Sequence, residues 1–191
     1  QGQAIQQDEE KLQRAKVVHQ HDIDELAKRC YSYFENFKMQ YQNDSAAYYL
    51  EQRVRLDTVN IQWLNEYSLF LTNYLAEYSD AIEFCNKALQ LSIKRYGVEH
   101  DSTATLYNNM GYIYSFVGDN SKTLDYYAKS LQIKEDLHGL EHIDVAMSYN
   151  NVGQTYLSLE NYTEALKYIQ IAIAIQEKIL DQSHVDLMIS Y

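Results

Sequence analysis

Slid past itself by 42 residues, the sequence realigns over two long segments, Ala104–Val145 and Ala146–Leu187. Tyr107-Asn108-Asn109 falls on Tyr149-Asn150-Asn151, Gly111 on Gly153, Tyr114 on Tyr156, Tyr126 on Tyr168, His142 on His184 and Asp144 on Asp186. The same shift carries Tyr149 onto Tyr191, so a further unit begins where the sequence stops, and the chain reads as a piece of something longer. Going backwards, Ala81, Phe84, Ala88, Leu89, Gly97 and His100 occupy the matching places in 62–103. The first half of that unit, around Trp63-Leu64-Asn65-Glu66-Tyr67, fits once a residue of slip is allowed. Repetition at such a period means stacked supersecondary units.

Each unit carries two apolar stripes of helical spacing. Leu106, Met110, Ile113 and Phe116/Val117 form one, and Leu124, Tyr127, Leu131 and Ile133/Leu137 the other. Gly118-Asp119-Asn120 breaks them, as Glu160-Asn161 does in the next unit. Ser102, Asp144 and Asp186 stand before the first helix as expected N-caps,. Gly97 and Gly139 stand where the second helix ends, as expected left-handed C-terminal residues,. One helix pair cannot bury both stripes, so pairs must stack on their neighbours.

Composition agrees with long uninterrupted helices: the chain has no proline and only six glycines in 191 residues,. Its net charge of −11 repels phosphate backbones and anionic lipid surfaces, which excludes nucleic acid and membrane surfaces as expected partners,. No apolar run approaches the ~20 residues a spanning helix needs, so no membrane insertion is expected. The beginning of the sequence lacks the apolar core of a signal peptide. Cys30 and Cys85 read as small apolar residues of a reducing compartment rather than as a disulfide framework,.

The residues at Tyr107, Gly111, Tyr114, Thr123, Tyr127 and Ser130, and again at Tyr149, Gly153, Tyr156, Ala165, Ile169 and Ala172, resemble the consensus of the tetratricopeptide repeat family. The period and the YNN(M/V)G phrasing look most like its kinesin-light-chain type. The resemblance implies an all-α, right-handed solenoid of antiparallel helix pairs with an N-terminal helical extension. Its expected divisions are 1–25, a polar helix or linker; 26–61, a divergent pair; three full repeats at 62–103, 104–145 and 146–187; and 188–191, the start of another. The proline usual in the family's turn is missing, with Asp101, Ile143 and Val185 in its place. Upstream, sparse apolar residues from Ile5 to Ile23 firm up through Leu26, Cys30, Phe34 and Phe37, reading as a helix solvated at its start and docked at its end. Its heptads are too few to claim a coiled coil.

Candidate chemistry is thin. His100, His142 and His184 sit in equivalent turns of successive units, ~10 Å or more apart, and cannot converge on one metal. His21 and Glu25 share an exposed helix face with His19, which reads as a solvated surface. No nucleophile elbow, Walker-type or Gly-rich dinucleotide pattern occurs, so no catalytic residue, metal or cofactor is expected and the chain reads as non-enzymatic. Most of the nineteen tyrosines fall at packing positions, among them Tyr126, Tyr127, Tyr162 and Tyr168, whereas Tyr112 points into the groove made by the first helices.

The resemblance places Asn109 and Asn151 where related peptide-binding arrays hold a ligand backbone with an amide, since that group both donates and accepts. Asn108, Asn150, Tyr112, Ser115, Gln154 and Ser158 lie on the same helices and complete the expected partner-binding groove. The alternative is that the asparagines bond from repeat to repeat. Chaperone-binding arrays hold an acidic C-terminal peptide with basic residues, but the matching positions here are Glu66, Met147 and Asn151. A basic or mixed aromatic protein segment therefore suits the chain better than an acidic one. The expected role is a protein-binding scaffold or adaptor in the cytoplasm, possible component of a multiprotein assembly. Two alternatives stand beside it: a structural member of a ciliary or cytoskeletal assembly, held by the convex face and N-terminal helix, or the array of a larger enzyme or nucleotide-driven sensor.

Overall fold

A computed structural model describes residues 2–189, with side chains described from 17 to 180. The elements are α1 (Gly2–Met39), α2 (Asn43–Leu56), α3 (Ile61–Phe70), a π-turn (Leu71–Leu75), α4 (Tyr78–Tyr96), α5 (Asp101–Val117), α6 (Asn120–His138), α7 (Ile143–Ser158) and α8 (Tyr162–Ile189). Successive helices pack as α1 on α2, α3 on α4, α5 on α6 and α7 on α8, with each pair also contacting the next. There is no strand among the described residues. The molecule is an all-α solenoid of helix pairs.

Within the pairs the helices approach closely at Gly111 and Gly153. A Cβ built on Gly111 would lie 2.6 Å from the Tyr127 ring, and one on Gly153 would lie 2.7 Å from Ile169 Cγ1. Leu106, Met110 and Ile113 are buried, as are Tyr127 and Ile133 on the facing helix. Phe116, Val117 and Leu137 are exposed instead: each sits at the last turn of its helix, past the reach of its partner. Polar bonds stitch the pairs, with Ser130 Oγ donating to the Ala104 carbonyl at 2.8 Å and Ser92 bonded to Thr103 at 2.9 Å. Tyr126 lies between Tyr107 and Tyr114, and Tyr168 repeats this between Tyr149 and Tyr156. Tyr162 departs from the packing role: it stands in the first turn of α8 at the place of Asn120 and is exposed.

The capping chemistry corrects the sequence reading. The N-caps of α5 and α7 are His100 and His142, whose Nδ1 atoms accept from the backbone amides of Ser102 at 3.1 Å and Asp144 at 3.2 Å. Ser102 and Asp144 lie within the first helical turn, and Asp186 lies outside the described side chains. A neutral imidazole satisfies an orphan amide as a carboxylate does, but the preference for Ser, Asp and Asn hides it. Gly97 and Gly139 have positive φ as expected, yet their ψ values of 174° and 172° put them in an extended region open essentially to glycine alone,. Positive φ recurs at Ala76, Gly118 and Glu160, 42 apart and closing the first helix each time, and is also found at Tyr41 after α1.

Two irregularities follow from single residues. The position of Gly97 and Gly139 falls on Asp181, which cannot take their backbone conformation, and α8 continues through to Ile189 rather than breaking there. The slip near Trp63 is resolved by the π-turn: eleven residues separate Asn65 from Ala76, whereas ten separate Asn108 from Gly118. The wider turn absorbs the extra residue and returns the chain to register at the αL position,. Upstream, α1 has exposed Val17 and Val18 but buries Ala27 and Phe34, so within the described side chains it docks toward its end as expected. Ile5 and Leu12 lie outside the described side chains.

Candidate functional site

The first helices, α3, α5 and α7, stand side by side and form one wall of the solenoid. Between α5 and α7 this wall opens into a cleft of about 620 Å³. Six of the eight expected groove residues line it: Tyr112, Ser115, Asn150, Asn151, Gln154 and Ser158. Phe116, Gly118, Asn120, Tyr127 and Thr155 complete it, and none of the lining residues carries a charge.

Asn108 and Asn109 are placed differently. Asn109 is buried, and its Nδ2 donates to Asn65 Oδ1 at 2.8 Å; Asn151 Nδ2 donates to Asn108 Oδ1 at 2.9 Å. The amides thus form a ladder from α3 to α5 to α7. At Asn109 and Asn108 the repeat-to-repeat alternative describes the structure, while Asn151 belongs both to the ladder and to the cleft.

What remains for a ligand is specific. The side-chain amides of Asn150 and Gln154 have no hydrogen-bond partner among the described residues. Ser115 and Ser158 turn their hydroxyls back onto the carbonyls of Tyr112 at 2.7 Å and Gln154 at 3.2 Å; Ser115 also meets the Tyr127 hydroxyl, while the Ser158 oxygen is left able to accept,. Tyr112 donates to Asn73 Oδ1 at 2.7 Å, and its ring meets Phe116 edge-on at 5.0 Å. Phe116, 47% exposed, gives the cleft an apolar surface beside the free amides.

Sequence reasoning passed over Phe116 and Asn73. Phe116 is four residues after Tyr112, which puts the two on one helical face, a signal that was readable but was assigned to the buried stripe. Asn73 lies within the π-turn, which the repeat pattern does not announce.

The histidines needed a different grouping. His138, His142 and Asp144 bring potential ligand atoms within 4.8 Å of one another, across a single turn rather than along the array. His184 lies outside the described side chains. Both cysteines are free; burial pushes the Cys85 thiol up to about 12 and raises Cys30, where the nearby Arg53 opposes the shift. Arg53 lies between the rings of Tyr31 and Trp63, at 4.5 and 4.6 Å, and pairs with Glu66 at 2.5 Å. Glu66, at a place where chaperone-binding arrays are basic, is thereby held by the protein itself.

Paired helices, small residues at their crossings and one groove-forming helix per unit define an α-solenoid interaction module. The family description Tetratricopeptide repeat matches residues 61–136 and 117–178, together more than half of the sequence. The chain belongs to the tetratricopeptide repeat family. Its fold is similar to that of BtubC (BKLC) from P. vanneervenii, at 18% identity over 91% of this chain and 76% of that one, with a TM-score of 0.71. A Podosopora anserina putative kinesin light chain with nearly identical TPR-like repeats is similar at 17% identity, 87% and 88% coverage and a TM-score of 0.67. MamA is similar at 24% identity, 87% and 86% coverage and a TM-score of 0.60. These neighbours share the solenoid fold of helix pairs. No curated protein matches the sequence. No helix among the described residues is long and apolar enough to cross a membrane.

Proposed function

We propose that the chain is a non-catalytic scaffold module that captures an extended protein segment in the cleft between α5 and α7. The family's repeats support a protein-interaction role in general. The observation that carries the finer reading is the pair of unpartnered amides, Asn150 and Gln154, beside the exposed Phe116 ring. Two amides on one helix face bond a peptide backbone in either polarity without reading its side chains. The Tyr112–Phe116 pair adds a platform for an aromatic or aliphatic side chain,. Because the cleft is uncharged, the preference for a basic over an acidic segment comes from the field of the whole molecule, −11, and acts mainly on the rate of encounter,. A basic or mixed aromatic segment is the expected ligand.

The test is a display library of random peptides selected on the whole chain, followed by titration of the selected segments. Asn150→Ala with Gln154→Ala is expected to weaken them about tenfold or more, as loss of two hydrogen bonds implies, while leaving the thermal midpoint in place. Undiminished binding by the double variant contradicts the cleft assignment.

A second reading has its own observation. Val17, Val18, Leu26 and Tyr33 leave apolar surface exposed along α1, outside the cleft. A chain held into an assembly by that helix loses its partner when Val18 and Leu26 become Asp, and retains it in the Asn150/Gln154 variant. Such an outcome favours a structural component of a larger complex over a groove-reading adaptor.

A further inference from the structure

We propose that the turn between α6 and α7 binds a divalent transition-metal ion through His138, His142 and Asp144. The chain carries its own comparison. In the preceding turn Tyr96 stacks on the cap residue His100 at 4.5 Å with 16° between the rings. Forty-two residues later His138 stacks on the cap residue His142 at 4.4 Å and 19°. The architecture is the same, so neither the stack nor the cap requires an imidazole at 138. The second residue after the cap changes in parallel, from Ser102 to Asp144. Two substitutions thus turn an aromatic stack into two imidazoles and a carboxylate whose ligand atoms lie within 4.8 Å of one another.

The surrounding bonds orient this set. Asp101, from α5, lies 3.0 Å from His138 Nε2. A carboxylate can only accept, so Nε2 is the protonated nitrogen, and in the neutral ring Nδ1 is the atom that offers a lone pair, as in the carboxylate–histidine arrangements around metals. The Nδ1 of His142 lies 3.7 Å from Asp144 Oδ2, close to the ~3.3 Å separation that tetrahedral zinc imposes on its ligands,. Ligand atoms within 4.8 Å of one another must draw in by up to about 1.5 Å to share one ion, and His138, the last residue of α6, is the exposed member of the set,. Three protein ligands leave a fourth position for water. The ion takes over the lone pair with which His142 caps α7, so binding replaces the cap at that helix end. Nitrogen and oxygen donors of this kind suit zinc and its neighbours rather than magnesium or calcium.

Isothermal titration of the whole chain with zinc chloride, in a buffer that does not chelate, tests the site. One ion per chain is expected, with micromolar affinity. The double variant His138→Tyr, Asp144→Ser carries the residues of the preceding turn, keeps the stack and cap, and is expected to lose at least tenfold. Asp101→Asn, which leaves all three ligands in place, is expected to weaken binding about tenfold through loss of orientation. His19→Ala with His21→Ala, on exposed α1, is expected to change nothing. Absence of saturable binding to the unaltered chain, equal binding by the double variant, or loss on changing His19 and His21 overturns the site.

Discussion

Ala76 and Glu160 hold the same αL conformation as Gly118, at φ values of 55°, 56° and 81°. For a residue with a Cβ that conformation costs about 1–2 kcal/mol, partly offset because glycine loses more freedom on folding. Glu160→Gly is therefore expected to stabilise the chain by about 0.5–1 kcal/mol, measured by chemical denaturation. The asparagines separate by the same measurement. Asn109→Ala breaks the bond to Asn65 and removes a buried amide, with an expected loss of about 1 kcal/mol or more,. Asn150→Ala, at a side chain with no partner among the described residues, is expected to stay within about 0.5 kcal/mol of the parent,. The residue pattern made these amides visible but could not divide them, because the division depends on which neighbour lies across the helix boundary.

The phenols give the residue scale a pH dependence. Tyr67, Tyr127 and Tyr149 are each raised from 10.0 to about 12, chiefly by burial, with Glu135 accepting from Tyr149 at 2.5 Å as a further cause. Below pH 10 both folded and unfolded chains keep these protons, and the stabilisation is fully present. Between pH 10 and about 12 the unfolded chain releases protons that the folded chain retains, so stability falls across that window,. Denaturation midpoints measured from pH 8 upward are expected to decline there; a flat profile contradicts the burial of these hydroxyls.

At the scale of the element, the helix pair is what the sequence shows best. Spacing of Tyr107, Gly111 and Tyr114 against Thr123, Tyr127 and Ser130 predicts both helices and their crossing, because only a small residue lets the backbone meet the Tyr127 ring. Gly111→Leu is expected to destabilise by about 1–3 kcal/mol or more, since Tyr127 is itself buried and has nowhere to move,. Helix ends were less legible. Imidazole caps at His100 and His142 run against the usual preferences, and αL residues at Ala76 and Glu160 carry no glycine to announce them. The π-turn at Leu71–Leu75 left a one-residue slip in the alignment, which marked its presence but not its form.

On the scale of the whole molecule, stacking converts repeated residues into a ladder and a cleft. Positions 42 apart come side by side on neighbouring helices, which is why six residues that line the cleft could be grouped from the repeat alone,. The contents of the cleft were not: Asn73 arrives from the π-turn, and the absence of charge among the lining residues appears only when they are brought together. The proposed capture divides the work between an uncharged cleft, whose amides would hold a backbone, and the long-range field of an acidic molecule, which would favour a basic segment,.

The most direct measurement is nitrogen–proton NMR of the side-chain amides during titration with a segment selected on the whole chain. Capture in the cleft predicts that the Asn150 and Gln154 amide signals move on binding, while the amide of Asn109, already bonded to Asn65, holds its position. Movement confined to α1 or to the second helices α6 and α8, with Asn150 and Gln154 unchanged, contradicts it.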